Sequence, residues 1–270
     1  MKFIVFLAFL ATHFSPFTGS AQSVTLQATG QGNTYSLINS ALTDDGNAVE
    51  VPDCGHEDFG PHITQAFDRV LNRPVFRFHI HRDQDDDRCR KSDRQRTEIK
   101  VYAKSPETLK ARSGNSFTYR WKFRLAPDFQ PSRRFTHLHQ IKAVGGSEDR
   151  MPLITLTARK GRDRSPDRFE LRYAERHKQQ TLTQVQLGDF LGQWVEVTER
   201  IAFGENGHYR IRITSLSTGR ILMSYRNDAI RMWKDGADFI RPKWGIYRSL
   251  KDRRNLKDEI VDFADFSIEY

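Results

Sequence analysis

Residues Val75–Arg82 read VFRFHIHR. Phe76, Phe78 and Ile80 fall on one side of a period-two alternation, and Arg77, His79 and His81 on the other, as expected of a half-buried β-strand. The same alternation recurs on moving outward. Arg96–Tyr102 (RTEIKVY) sets Arg96, Glu98 and Lys100 against Thr97, Ile99 and Val101. Ser116–Leu125 (SFTYRWKFRL), Phe135–Ala143, Pro152–Thr157, Arg168–Tyr173, Trp194–Phe203, His208–Thr214, Arg220–Arg226, Trp244–Arg248 and Ile260–Glu269 continue it. Val24–Leu26 and Tyr35–Ile38 read as further short strands. Only His62–Leu71 breaks the pattern: Ile63, Ala66, Phe67 and Val70 share a helical face, which predicts a short helix stopped by Pro74. About a dozen strands separated by Gly, Pro and Asn turns predict an all-β protein, a sandwich of two antiparallel sheets such as a β-jelly roll. The chain shows no internal repeat, low-complexity tract or linker, so residues 22–270 are expected to form one domain.

Of 270 residues, 37% are hydrophobic and 29% charged, enough apolar material for a full core and too much for a disordered chain. With 43 Lys and Arg against 34 Asp and Glu the net charge is +9, which favours a polyanionic partner: nucleic acid, anionic membrane or acidic polysaccharide. The N-terminus narrows this choice. Met1-Lys2, the apolar run Phe3–Ala11 and the small residues Gly19-Ser20-Ala21 read as a secretory signal over residues 1–21, too short to span a bilayer. No later run is long enough for a membrane span. A secreted or periplasmic protein is expected, which makes nucleic acid a poor partner. The reading also favours a monomer. In an oxidising compartment the two cysteines, Cys54 and Cys89, are expected to pair.

The polar strand faces are charged rather than Ser/Thr-rich. If the acidic segment Asp83–Gln95 joined its flanking strands as a hairpin, His81 would lie across from Arg96 and His79 across from Glu98, about 5 Å apart. Along Phe135–Ala143, alternation puts Leu138, Gln140 and Lys142 on one side, and Phe135, His137, His139 and Ile141 on the other. There His137 and His139 read either as core histidines or as site residues. In Arg241–Arg248 (RPKWGIYR), Lys243, Gly245 and Tyr247 share a face, and the glycine would let a ligand approach the backbone.

Three of these segments resemble one enzyme group. RTEIK (Arg96–Lys100) is similar to the R-[ST]-E-[LI]-[RK] strand of alginate-lyase-type polysaccharide lyases. Gln140-Ile-Lys142 resembles their Q-[IV]-H strand, with lysine where histidine is usual. Lys243-Trp-Gly-Ile-Tyr247 resembles their Y-x-K-x-G-x-Y strand without its first tyrosine. Order and wide spacing agree over residues 75–270. The group includes alginate lyases, glucuronan lyases and heparin lyases of type I. The resemblance implies a jelly roll with a substrate cleft on its concave sheet, and β-elimination on a uronic-acid polymer.

The residue types suit that chemistry. Elimination removes the proton at C5, beside a carboxylate, and expels the sugar linked at O4. The carboxylate must be neutralised and the enolate-like state stabilised. Arg96 and Gln140 are the expected neutralisers. Tyr247 is the expected acid/base, with His81 or His139 as a second one. Glu98, Lys100, Lys142, Lys243 and Arg248 are expected to line the substrate path. The reaction needs neither metal nor organic cofactor, although loop carboxylates such as Asp85–Asp87 or Asp262 could hold a structural Ca²⁺. Two other readings compete. One is a non-catalytic carbohydrate-binding protein on the same fold. The other is a glycoside hydrolase, which needs two carboxyls about 5–9.5 Å apart, whereas Glu98, Glu170 and Glu196 stand isolated.

Overall fold

A computed structural model describes residues 22–270; the expected signal segment lies outside them. Fifteen strands and one α-helix occur among the described residues. In chain order they are β1 (Ser23–Leu26), α1 (Thr34–Leu42), β2 (Val49–Glu50), β3 (Ile63–Asp68), β4 (Arg73–Ile80), β5 (Arg94–Lys100), β6 (Ser116–Leu125), β7 (Thr136–Val144) and β8 (Ile154–Arg159). Then follow β9 (Arg168–Tyr173), β10 (Gln180–Gln186), β11 (Trp194–Ala202), β12 (Gly207–Ser215), β13 (Ile221–Ile230), β14 (Phe239–Ser249) and β15 (Glu259–Glu269). None of the described helices is long and apolar enough to cross a membrane.

The strands form two antiparallel sheets. An eight-stranded sheet runs β13-β12-β11-β6-β15-β4-β3, with β1 added on β15, and a seven-stranded sheet runs β10-β9-β8-β7-β14-β5-β2. Alternation explains the layering. On β6, Phe117, Tyr119, Trp121, Phe123 and Leu125 are buried while the intervening residues are partly exposed. Their partners across the core include Ile99, Ile141, Leu156, Phe169, Trp244 and Ile246 of the other sheet. This is the all-β jelly-roll sandwich expected from the alternating pattern.

Two local expectations fail. Ile63–Asp68 is an edge strand paired along its length with β4. The helical reading would have buried Phe67 and Val70, yet both are exposed. Backbone pairing with a ready strand outweighs a weak local period. Conversely, Tyr35–Ile38 belongs to α1, whose Asn33 caps it by accepting from Ser36 N at 2.9 Å.

Cys54 and Cys89 are disulfide-bonded across a separation of 35 residues. A loop of that length is worth about 4 kcal/mol in the chain-entropy account. Replacing both cysteines by Ser should lower stability by about that amount, read as a fall in urea midpoint with a steeper slope, because the denatured chain without the cross-link exposes more surface. An unchanged midpoint would show that the neighbouring contacts already hold the two loops.

Candidate active site

The three segments quoted above lie on adjacent strands: β7, β14 and β5 are consecutive in the seven-stranded sheet. Register does the rest. Tyr247 pairs with Arg96, Gly245 with Glu98 and Lys243 with Lys100, while Gln140 pairs with Lys243 from the other side. All of these turn to the face away from Trp244 and Ile246, which are fully buried in the core.

At one end of this face sits Tyr247. Its ring lies on the guanidinium of Arg96, 3.7 Å from centroid to Cζ, and Arg94 Nη1 donates to its hydroxyl at 3.0 Å. Phe135 and His137 flank it, with ring centroids 5.1 and 5.9 Å away. His137 reaches this face because the β7–β8 pairing breaks register between His137 and His139. Strict alternation would put both histidines on one side. Instead His137 Nδ1 meets Thr157 Oγ1 at 2.8 Å. His139 turns into the core, where Nε2 meets Glu199 at 2.9 Å and Nδ1 the Lys243 carbonyl at 2.9 Å.

Burial pushes the His137 imidazole down to about 3, so it is neutral at physiological pH. Burial raises the Tyr247 phenol, although Arg96 and Arg94 pull the other way, so the phenol keeps its proton. A neutral imidazole and a protonated phenol thus share one corner.

Next along the strands is a buried ion network. Glu98 accepts from Gln140 Nε2 at 2.5 Å, from Lys243 Nζ at 2.6 Å and from Arg96. Glu50 accepts from Lys243 at 2.5 Å, Lys100 at 2.8 Å and Arg88 at 2.6 Å. Asp87 holds Arg96 Nε at 2.8 Å. Burial alone would raise both glutamates, but the surrounding cations outweigh it and hold their carboxyls well below the usual range. Arg96, Gln140 and Lys243 are therefore occupied by protein carboxylates. Their side chains turn to those carboxylates.

Other expected contacts move as well. Arg248 is completely buried behind the sheet, donating to Gln95 and to the Lys257 carbonyl. Lys142 stays on the cleft face, but its ammonium points to the carbonyls of Asp149 and Arg150. Burial and nearby Lys243 lower it to about 8. The proposed hairpin does not form. β4 pairs with β15 and β3 in the opposite sheet, so His81 and His79 do not face Arg96 and Glu98. Gly245 serves the backbone: at φ 144° an added Cβ would lie 2.1 Å from Thr97 O, so the glycine permits close strand packing. The carboxylates considered for Ca²⁺ already have partners. Three histidines face Asp85, Asp86 accepts from Cys89 N, Arg88 and Arg96 bind Asp87, and Arg77 and Arg124 bind Asp262.

Several residues of the face were not legible as site residues. Arg94 extends the RTEIK alternation by one step and could have been found that way. Arg159, Arg168 and Arg172 converge on buried Glu170 across β8 and β9. Arg133, Arg134, Arg159, Arg162 and Asp163 line a cavity of about 330 Å³. Arg241 Nε is buried with no hydrogen-bond partner among the described residues. Further cationic groups thus lie on β8, β9 and β14 of the same sheet.

No protein-family model and no curated protein matches the sequence. Solved structures do. The endo-β-1,4-glucuronan lyase of the fungus Trichoderma reesei superposes with a TM-score of 0.53 at 15% identity, covering 76% of this chain and 85% of its own. An alginate lyase of Pseudomonas aeruginosa gives 0.52 at 17% identity, over 82% of this chain and 96% of its own. The marine alginate lyase of Aplysia kurodai gives 0.58 at 13% identity, over 92% and 97%. The fold is that of the β-jelly-roll polysaccharide lyases. The chain is similar to glucuronan-directed and alginate-directed members alike.

Proposed function

We infer that this protein is a secreted polysaccharide lyase that cleaves a uronic-acid polymer by β-elimination on the open face of its seven-stranded sheet. The observation that carries the reading is the Tyr247 corner: a protonated phenol, a neutral imidazole and a guanidinium meet on the three strands whose sequences resemble the lyase strands. His137 Nε2 is the candidate base for the C5 proton. The Tyr247 hydroxyl is the candidate acid for the O4 leaving group. Arg94, part-exposed and already reaching that hydroxyl through Nη1, is the candidate cation for the substrate carboxylate, which would share its guanidinium with Asp93, now paired to Nε and Nη2. Arg96 acts beneath them, holding the Tyr247 ring. Export is supported by the apolar leader and by the disulfide. A hydrolase reading fares worse, because Glu50 and Glu98 are both locked to Lys243.

The test is an assay of glucuronan, alginate, heparin and ulvan at 235 nm, where the unsaturated product absorbs. Cleavage of one polymer with that signal is expected. Binding without it would favour a carbohydrate-binding protein, and reducing ends without it would favour a hydrolase. A pH profile adds a check. kcat/KM reports the free enzyme's acid and base. With His137 held low, no inflection is expected near the ordinary imidazole value of about 6.5. Activity should fall only on the alkaline side, as Tyr247 ionises. An acid limb centred near pH 6.5 would instead show a histidine of ordinary basicity at work, and its loss in His137→Asn would assign it to His137.

A further inference from the structure

A second cluster of chemistry-bearing side chains lies on the other side of β5 from Tyr247. One ligand atom each from His56, His62, His81 and Asp85 all fall within 4.8 Å of one another. His62 immediately precedes β3, His81 immediately follows β4, and His56 and Asp85 come from the flanking loops. The Asp85 carboxylate is buried, and each histidine turns one ring nitrogen to it. His56 Nδ1 stands at 2.9 Å, His62 Nε2 at 3.0 Å and His81 Nδ1 at 3.2 Å.

The rings form a nearly equilateral triangle, with centroid separations of 5.4, 5.3 and 4.9 Å. A tetrahedral ion with metal–nitrogen bonds of about 2.0–2.1 Å sets three ligating ring centroids about 5.2 Å apart. The outer partners agree. His62 Nδ1 is bonded to Asp53 at 2.8 Å, and the same carboxylate accepts from Tyr35 at 2.7 Å. Asp53 thereby turns Nε2 toward the cluster, the usual orienting device for a metal-ligating histidine. Phe59 packs on His81, His62 and His56, with centroids 4.2, 4.9 and 5.5 Å away, as an apolar wall. The Cys54–Cys89 bond ties together the loops carrying His56 and Asp85.

We propose that His56, His62, His81 and Asp85 bind one divalent transition-metal ion, Zn²⁺ by the character of the donors. Three imidazoles and one carboxylate suit a borderline ion, whereas Ca²⁺ takes six to eight oxygen ligands. Four protein ligands complete a tetrahedron, so the role is structural. The ion joins the ends of β3 and β4 to the segment that carries Asp87, two residues past Asp85. Asp87 in turn holds Arg96 beneath Tyr247. Metal binding itself is independent of whether the chain is a lyase.

The test uses the full chain, stripped by a chelator and titrated with Zn²⁺, Co²⁺ or Ca²⁺ alone. One equivalent of Zn²⁺ should bind and raise the melting temperature. Co²⁺ should give the intense visible bands of a tetrahedral site, and Ca²⁺ should do neither. His56→Ala removes the most exposed of the three rings and should weaken Zn²⁺ binding more than 10-fold with the fold intact. Asp53→Asn should weaken it about 10–100-fold. The proposal is overturned if wild type takes up no more Zn²⁺ than His56→Ala, or if Ca²⁺ raises the melting temperature as much as Zn²⁺. Should His56→Ala fail to fold, the wild-type Co²⁺ spectrum decides: octahedral bands or none would equally overturn it.

Discussion

Tyr247→Phe is expected to reduce the initial rate of product formation at 235 nm by about 10²–10⁴-fold, the range for losing a positioned acid/base. The fold should survive, because the phenyl ring keeps its place on the Arg96 guanidinium and beside Phe135. Only the hydroxyl that Arg94 contacts is lost. His137→Asn should produce a comparable loss. Asn retains a polar atom near Thr157 Oγ1 but has nothing at the Nε2 position. Since base and acid act in one elimination, combining the two changes should cost less than the product of the separate losses. A folded Tyr247→Phe protein retaining more than about a tenth of the wild-type rate would remove Tyr247 from the mechanism.

Lys243→Ala should act on stability before it acts on the substrate. The Lys243 ammonium is buried between Glu50 and Glu98, both of which are themselves buried. Removing it leaves two buried carboxylates short of a cation, a change that typically costs about 3–5 kcal/mol. For a domain of this size that is a fall of about 6–20 °C in Tm. The pH dependence follows from the depressed carboxyls. A carboxyl held below its unfolded value contributes stability above that value and loses it as pH falls through the folded value. In Lys243→Ala both carboxyls rise, so that neutral-pH contribution shrinks. The gap in Tm between the two proteins should therefore be largest near pH 7 and narrow toward pH 4. Equal melting temperatures, with only weaker polymer binding in the variant, would restore Lys243 as a substrate contact.

Period-two alternation in VFRFHIHR, SFTYRWKFRL and their neighbours was enough to define an all-β sandwich, because side-chain direction in a strand is set locally. RTEIK, QIK and KWGIY, quoted together from the sequence, do lie on adjacent strands of one sheet, and the two cysteines are bonded. Other features depended on contacts distant in sequence. Whether β4 pairs with β5 or lies in the opposite sheet depends on long-range partners, and local alternation is blind to that choice. The register break that turns His137 to the cleft and His139 to the core is likewise a property of the β7–β8 pairing. A charged strand face reads the same whether it meets solvent, substrate or another charged strand. Only when β2, β5, β7 and β14 were brought side by side did Glu50 and Glu98 become the partners of Arg96, Gln140 and Lys243. His56, His62, His81 and Asp85 show the same limit. They are spread over 30 positions of the chain and are brought together only by the pairing of β3 with β4 and the loop returning to β5.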